Sequence, residues 1–321
     1  MKNTARAFKF YDYNPETADL YREVMEGLGE RPRSIAPKFF YDHAGSEIFD
    51  AICRTPEYYP TRTELDIIRD NIDEIAACIG VGCLLVEPGS GASIKVRELL
   101  DALKPHAYLP MDISGAYLKK AAQSVARDYP WLEVHAVCVD YTAPIDLPYR
   151  PKGPHRVAFF PGSSIGNFEP PDAVDFLVNI AELVQRDGGL LIGVDLKKEH
   201  DVLNAAYNDA QGVTADFNYN LLTRINNELG ADFDVEQFRH HAFYNAGNGR
   251  IEMHLVSETE QRVTIAGQAF DFEEGESIHT ENSYKYSIPE FQALAGKAGF
   301  APVKVWTDAN GLFSLHYLVC E

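Results

Sequence analysis

The sequence predicts an α/β fold: a parallel, doubly wound sheet covered by helices, joined to a second, smaller α+β lobe. From Cys83 onward, short apolar runs alternate with amphipathic helical segments. A glycine turn closes the first of these runs, and the alternation breaks after Asp195 and resumes at Ser287. Strands buried on both faces read as continuous apolar runs, and βα alternation at this spacing points to a parallel sheet.

Before residue 80 the chain is aromatic and turn-rich, through Lys38-Phe39-Phe40-Tyr41-Asp42 and Thr55-Pro56-Glu57-Tyr58-Tyr59-Pro60. Leu65, Ile68, Ile72 and Ile75 then recur at helical spacing and predict a helix over 63–77. Strands are expected at 83–87, 107–111, 134–137, 157–160 and 190–194, with helices at 96–103, 116–126 and 173–184 between them. Val174, Leu177, Ile180 and Val184 share one face of the last helix, which stops at Asp187-Gly188-Gly189. A polar helical region, 199–229, and strands over 250–256 and through Val263 and Ile265 read as an insertion. A helix restarts at Ser287-Ile288-Pro289-Glu290, with Phe291, Leu294 and Ala298 on its face, before strands near 303–306 and 314–319. The expected core is therefore 61–196 plus 287–321, a seven-stranded sheet, with 1–60 and 197–286 forming the second lobe.

Composition narrows the function. Forty-eight Asp and Glu against 29 Lys and Arg leave a net charge of −19 without a basic patch, which argues against nucleic acids and anionic membranes as partners. No apolar run approaches the roughly 18–20 residues of a membrane helix. Met1-Lys2-Asn3-Thr4-Ala5-Arg6 leads on without an apolar stretch, so no secretory signal and a cytoplasmic location are expected. Five cysteines, Cys53, Cys78, Cys83, Cys138 and Cys320, with no paired spacing and no nearby His, suggest reduced thiols and no metal.

The candidate site begins at Val86-Glu87-Pro88-Gly89-Ser90-Gly91-Ala92-Ser93. A dinucleotide fingerprint needs a third small residue where Ile94 stands, which disfavours NAD. Gly89 and Gly91 still permit close backbone approach to a nucleoside, and Asp112, ending the next strand, can accept two ribose hydroxyls. Asp140 after the third strand can accept an adenine amine. One Asp at a strand end often only caps a turn, but three acids after successive strands argue for S-adenosylmethionine. The fourth strand ends in Phe160-Pro161-Gly162-Ser163-Ser164-Ile165-Gly166-Asn167, where Asn167 offers both donor and acceptor to an amino-acid head group.

These residues resemble one family, the histidine-specific Nα-methyltransferases of ergothioneine biosynthesis, from about residue 30 to the C-terminus. The resemblance rests on Pro37-Lys38-Phe39-Phe40-Tyr41-Asp42, Gly45-Ser46-Glu47-Ile48-Phe49-Asp50, Pro56 to Glu64, Gly162 to Asn167, Tyr207 to Thr214, and Arg250-Ile251-Glu252-Met253. It implies a Rossmann-like class I methyltransferase fold dependent on S-adenosylmethionine, with the second lobe binding substrate. It implies cofactor contacts at Glu87, Gly89, Gly91, Lys95, Asp112, Asp140, Tyr141, Gly162 and Ser163. Tyr41 and Asn167 are expected to be catalytic, and Asn167 and Tyr207 to hold the α-carboxylate and amine. Phe49 and Tyr58 would line the pocket with Tyr41, while Met253, Glu281 and Ser283 would receive the imidazole of L-histidine. Pro88 and Tyr284 depart from the family pattern, and Tyr284, beside Ser283, is expected to alter pocket shape. A monomer is expected.

Two competing readings were weighed. An indole has no second ring nitrogen for Glu281, which counts against a tryptophan methyltransferase. The presence of all the expected cofactor acids and glycines counts against a non-catalytic amino-acid or S-adenosylmethionine binding protein, which would bind both ligands without forming S-adenosylhomocysteine.

Overall fold

The computed structural model describes residues 8–13 and 19–321. The leader segment Met1 to Arg6, considered above for a signal, lies outside the described residues. The strands in chain order are β1 (Phe8–Asp12), β2 (Arg33–Ser34), β3 (Leu84–Pro88), β4 (Ala107–Asp112), β5 (Glu133–Cys138), β6 (Arg156–Phe160) and β7 (Gly189–Asp195), followed by β8 (Phe238–Asn245), β9 (Arg250–Ser257), β10 (Gln261–Ile265), β11 (Gln268–Phe272), β12 (Ser277–Tyr284), β13 (Phe300–Thr307) and β14 (Phe313–Cys320). The chain divides into two compact units. Among the described residues, no helix is long and apolar enough to cross a membrane.

The first unit takes in β1, residues 62–196 and 286–321. Its sheet has the order β1-β5-β4-β3-β6-β7-β14-β13. The first six pair in parallel, and β14 and β13 close the far edge antiparallel. Every residue of β3 and of β7 is buried, which is why their sequences read as apolar runs up to Glu87 and Asp195 at the carboxyl ends. The chain leaves β3 toward β4 and β5 on one side and returns to β6 and β7 on the other. The switch point between β3 and β6 therefore opens a crevice at the strands' carboxyl ends, where open α/β sheets bind ligands.

Two sequence expectations need correction here. Phe8–Asp12 was assigned to the second lobe, but it forms an eighth strand of this sheet, in parallel register from Phe8 opposite Val134 to Asp12 opposite Cys138. Without β1 the hydrogen-bonding edge of β5 would be open. The helix expected over 63–77 is two helices, Pro60–Asp70 and Ile72–Ile79, because the Asn71 amide turns back onto the Ile67 carbonyl at 2.8 Å. The helix Ile288–Lys297 starts as expected at Ser287, in a full capping box with Glu290.

The second unit, residues 18–61 and 197–285, is α+β. A four-stranded sheet of order β2-β12-β9-β8 lies with the hairpin β10-β11 and the helices Leu20–Gly29, His43–Ile52, His200–Ala206 and Val213–Leu229. The polar helical region expected over 199–229 is two helices, separated at 207–212. There the Asp209 carboxylate accepts the Val213 and Thr214 N–H groups at 2.9 and 2.8 Å and starts a new helix. β12 has no counterpart among the expected strands.

Candidate active site

In the first unit, the acids and glycines collect at the carboxyl ends of β3, β4 and β6. Gly89 and Gly91 both have left-handed backbone, with φ of +66° and +49°. A Cβ at position 89 would sit 3.1 Å from the Tyr141 hydroxyl, so the turn needs glycine for space as well as conformation. Asp112 holds the turn in place: one carboxylate oxygen accepts the Gly91 N–H at 3.1 Å and the other the Ser114 N–H at 2.9 Å. Burial raises the Asp112 pKa, against the lowering effect of those N–H groups. Glu87 is buried at the end of β3 with the Tyr108 hydroxyl donating to its carboxyl. Desolvation pushes Glu87 up to about 8, opposed by Tyr108 and Lys95.

The floor beneath the β6 turn rests on a residue that the sequence analysis did not select. Glu64 is fully buried, and its carboxylate accepts the Gly162 N–H at 2.9 Å and pairs with the Lys95 ammonium at 2.5 Å. Gly193 supplies the room, since a Cβ there would lie 1.9 Å from Glu64 Oε1. Lys95 thus balances a buried charge. Ser163, with φ +57°, accepts the Asp195 N–H on its hydroxyl at 2.9 Å and starts the short helix Ser164–Asn167, which ends on the half-buried Asn167. Asp140 is exposed, and one of its oxygens caps Thr142 at 2.9 Å, the role an Asp at a strand end has without any ligand.

In the second unit, the expected substrate residues other than Asn167, which belongs to the first unit, form one cluster. Tyr41, Phe49, Tyr58 and Tyr207 make a run of edge-on ring contacts, with successive centroids 5.7, 6.3 and 6.2 Å apart. Tyr207 donates to Ser283 Oγ at 2.9 Å. Strand alternation places Glu281, Ser283 and Lys285 on one face of the chain, and Met253 of β9 stands directly opposite Glu281. Lys285 is buried and donates to Ser283 Oγ at 2.8 Å and to the Tyr207 hydroxyl at 3.2 Å. Desolvation pushes the Glu281 carboxyl up to about 7, and the Lys285 charge holds it lower than burial alone would.

A bulge in β12 aims Glu281. The pairing shifts between His279 and Glu281, leaving Thr280 as the extra residue. Thr280 Oγ1 lies 2.8 Å from Asn218 Oδ1, and the fully buried Asn218 also donates to the His254 carbonyl at 3.1 Å and to His240 Nδ1 at 2.9 Å. His240 Nε2 reaches the Tyr207 carbonyl at 2.9 Å, so one polar network fixes both Glu281 and Tyr207. Lys285, Asn218, His240 and Phe217, whose ring lies 5.7 Å from Tyr41, were missed in the sequence; buried polar residues carry no periodic signal.

The departures at Pro88 and Tyr284 are resolved locally. Pro88 ends β3, and the pairing continues through the Ser90 N–H to the Met111 carbonyl at 2.9 Å. Tyr284 does not shape the pocket face as expected. It alternates to the opposite side from Ser283, where its hydroxyl accepts from Arg250 at 2.7 Å.

Comparison with known proteins adds an independent line. The family model for "Histidine-specific methyltransferase, SAM-dependent" matches residues 20–320. The chain is 42% identical over 309 residues to the histidine N-alpha-methyltransferase of Mycolicibacterium smegmatis, covering 94% of each chain. It is 29% identical to ergothioneine biosynthesis protein 1 of Neurospora crassa, covering 89% of this chain and 33% of that one. It is 28% identical to the 4-dimethylallyltryptophan N-methyltransferase easF of Trichophyton verrucosum, covering 93% of each.

Proposed function

We propose, from the premise that this chain belongs to the family of histidine-specific, S-adenosylmethionine-dependent methyltransferases, that it methylates the α-amine of L-histidine stepwise to Nα,Nα,Nα-trimethylhistidine, hercynine, opening ergothioneine biosynthesis. The observation that carries the substrate assignment is the cluster of Glu281, Ser283, Tyr207 and Met253 beside the aromatic run. A carboxylate and a hydroxyl on one strand face suit the two ring nitrogens of an imidazole. An indole offers one N–H and would leave a polar group unpaired, which disfavours the tryptophan reading.

The first unit's residues fit the cofactor. The left-handed Gly89 and Gly91 leave the turn bare for a nucleoside, and the Asp112 carboxylate, braced by the Gly91 and Ser114 N–H groups, has the acceptor capacity for a ribose hydroxyl. Gly162, Ser163, Lys95, Asp140 and Tyr141 complete the proposed set, with Glu87 neutral at pH 7 beneath the turn. Bound S-adenosylmethionine supplies an electrophilic methyl group on a sulfonium.

What the protein must do is align and desolvate an amine lone pair rather than abstract a proton strongly. A free α-amine, with a pKa of about 7.7–8.0, supplies a usable neutral fraction. We assign Asn167 and Tyr207 to the α-carboxylate and amine, and Tyr41 to orienting the nitrogen. As methyl groups accumulate the nitrogen becomes a fixed cation, and the faces of Tyr41, Phe49 and Tyr58 stabilise it by about 0.5–2 kcal/mol each. The test is mass spectrometry of the protein with S-adenosylmethionine and all twenty amino acids pooled. Trimethylated histidine alone is expected; another methylated amino acid, or none, overturns the assignment.

A further inference from the structure

We propose that the reverse face of the β8–β9–β12 sheet binds a divalent transition-metal ion through Glu252, His254 and His279. This site is separate from the methyl-transfer reading and does not depend on it. The cysteines have no metal-ligand spacing; here the ligands come from two strands, and two of them are two residues apart. Glu252 and His254 share a face of β9 by strand alternation, and His279 of β12 stands directly opposite His254. The bulge at Thr280 makes this possible: in a regular strand His279 and Glu281 would share a face, but the shift leaves His279 with His254 and Glu281 with Met253. One ligand atom from each of the three residues lies within 4.8 Å of the others.

Each of these donors also has a polar partner outside the trio. Glu252 Oε1 is taken by Arg250 Nε at 2.8 Å and Asn245 Nδ2 at 3.1 Å, which leaves Oε2 facing His254 Nε2 at 3.3 Å. Ser277 Oγ lies 3.4 Å from His254 Nδ1, and His279 Nε2 lies 3.1 Å from the Glu281 carbonyl. Outer partners of this kind, one on each ligand, fix tautomer and ring direction at metal sites. Two imidazoles and a carboxylate are the donor set of zinc and its transition-metal neighbours rather than of calcium or magnesium, and three protein ligands leave a fourth position for water. Bonds of about 2.0–2.2 Å require the ligand atoms to close by roughly an ångström, within reach of side-chain rotation.

The experiment is calorimetric titration of the tag-free full-length protein with zinc chloride, paired with cobalt(II) absorption to report four-coordinate geometry. One ion per chain is expected. His254→Ala/His279→Ala should lose this binding while keeping the wild-type circular dichroism spectrum and a cooperative thermal melt, which show that it folds. Should the double variant fail to fold, the single His279→Gln variant, which keeps the bulk of the side chain, should still weaken zinc by at least about tenfold. Asn245→Ala, which removes only an outer partner, should weaken it by about tenfold. No ion bound by the wild type, or unchanged affinity in a folded variant lacking these histidines, overturns the proposal.

Discussion

Replacing Glu281 by Gln is expected to make the protein more stable and less active, and the size of the first effect follows from the structure. Unfolded, the carboxyl has its ordinary pKa of 4.5; folded, desolvation pushes it to about 7 despite Lys285. Between those values the folded state keeps the proton and the unfolded state has lost it. Stability therefore falls as pH rises from about 4.5 to 7 and is level above that window. At about 1.4 kcal/mol per pH unit, the wild type gives up roughly 3 kcal/mol by pH 8. Gln cannot ionise and gives up nothing, while Lys285 retains the Ser283 and Tyr207 oxygens as acceptors. Urea unfolding followed by circular dichroism should find Glu281→Gln more stable by up to about 3 kcal/mol at pH 8, and by less than about 1 kcal/mol at pH 5. Its kcat/KM for histidine should drop about 10–100-fold as a charge-assisted hydrogen bond becomes a neutral one. A variant no more stable than the wild type at pH 8, or a difference that does not change with pH, would refute this account of the Glu281 environment.

Three other substitutions probe separate parts of the site. Asp112→Ala removes the carboxylate that braces Gly91 and is assigned to the ribose; calorimetry should show S-adenosylhomocysteine binding weakened by about 100-fold or more. Gly193→Ala drives a methyl group into Glu64, so thermal melts should show a loss of about 1–3 kcal/mol together with weaker cofactor binding as the Gly162 turn loses its acceptor. Tyr284→Phe takes a hydroxyl from Arg250 on the face away from Ser283, so steady-state assays should find histidine kcat/KM within about twofold of the wild type, with a stability loss of about 1 kcal/mol.

The central sheet was legible because its strands are buried on both faces: 84–86 and 189–194 read as apolar runs, and the helices between them carry one apolar face each. Asp112 and the two glycines were legible because strand-end turns have few chemical solutions. β1 was not, since a five-residue strand with a mixed burial pattern is recognised only by the β5 edge it covers. β12 was hidden by its bulge, which breaks the alternation that would have revealed it, although it carries both Glu281 and Ser283. Glu64, Asn218 and Lys285 read as ordinary surface residues in the sequence. Each is buried in the fold, where its charge or amide is hydrogen-bonded by a partner far along the chain. The family resemblance supplied Glu281 and Ser283, whereas the bulge and network that aim them come from the structure.

The account stands most directly on where the imidazole goes, and a crystal structure with L-histidine and S-adenosylhomocysteine would measure it. The ring is predicted within hydrogen-bonding distance of the Glu281 carboxyl and Ser283 Oγ, against Met253, with the amine facing Tyr41. A ring bound away from the Glu281 carboxyl would contradict it.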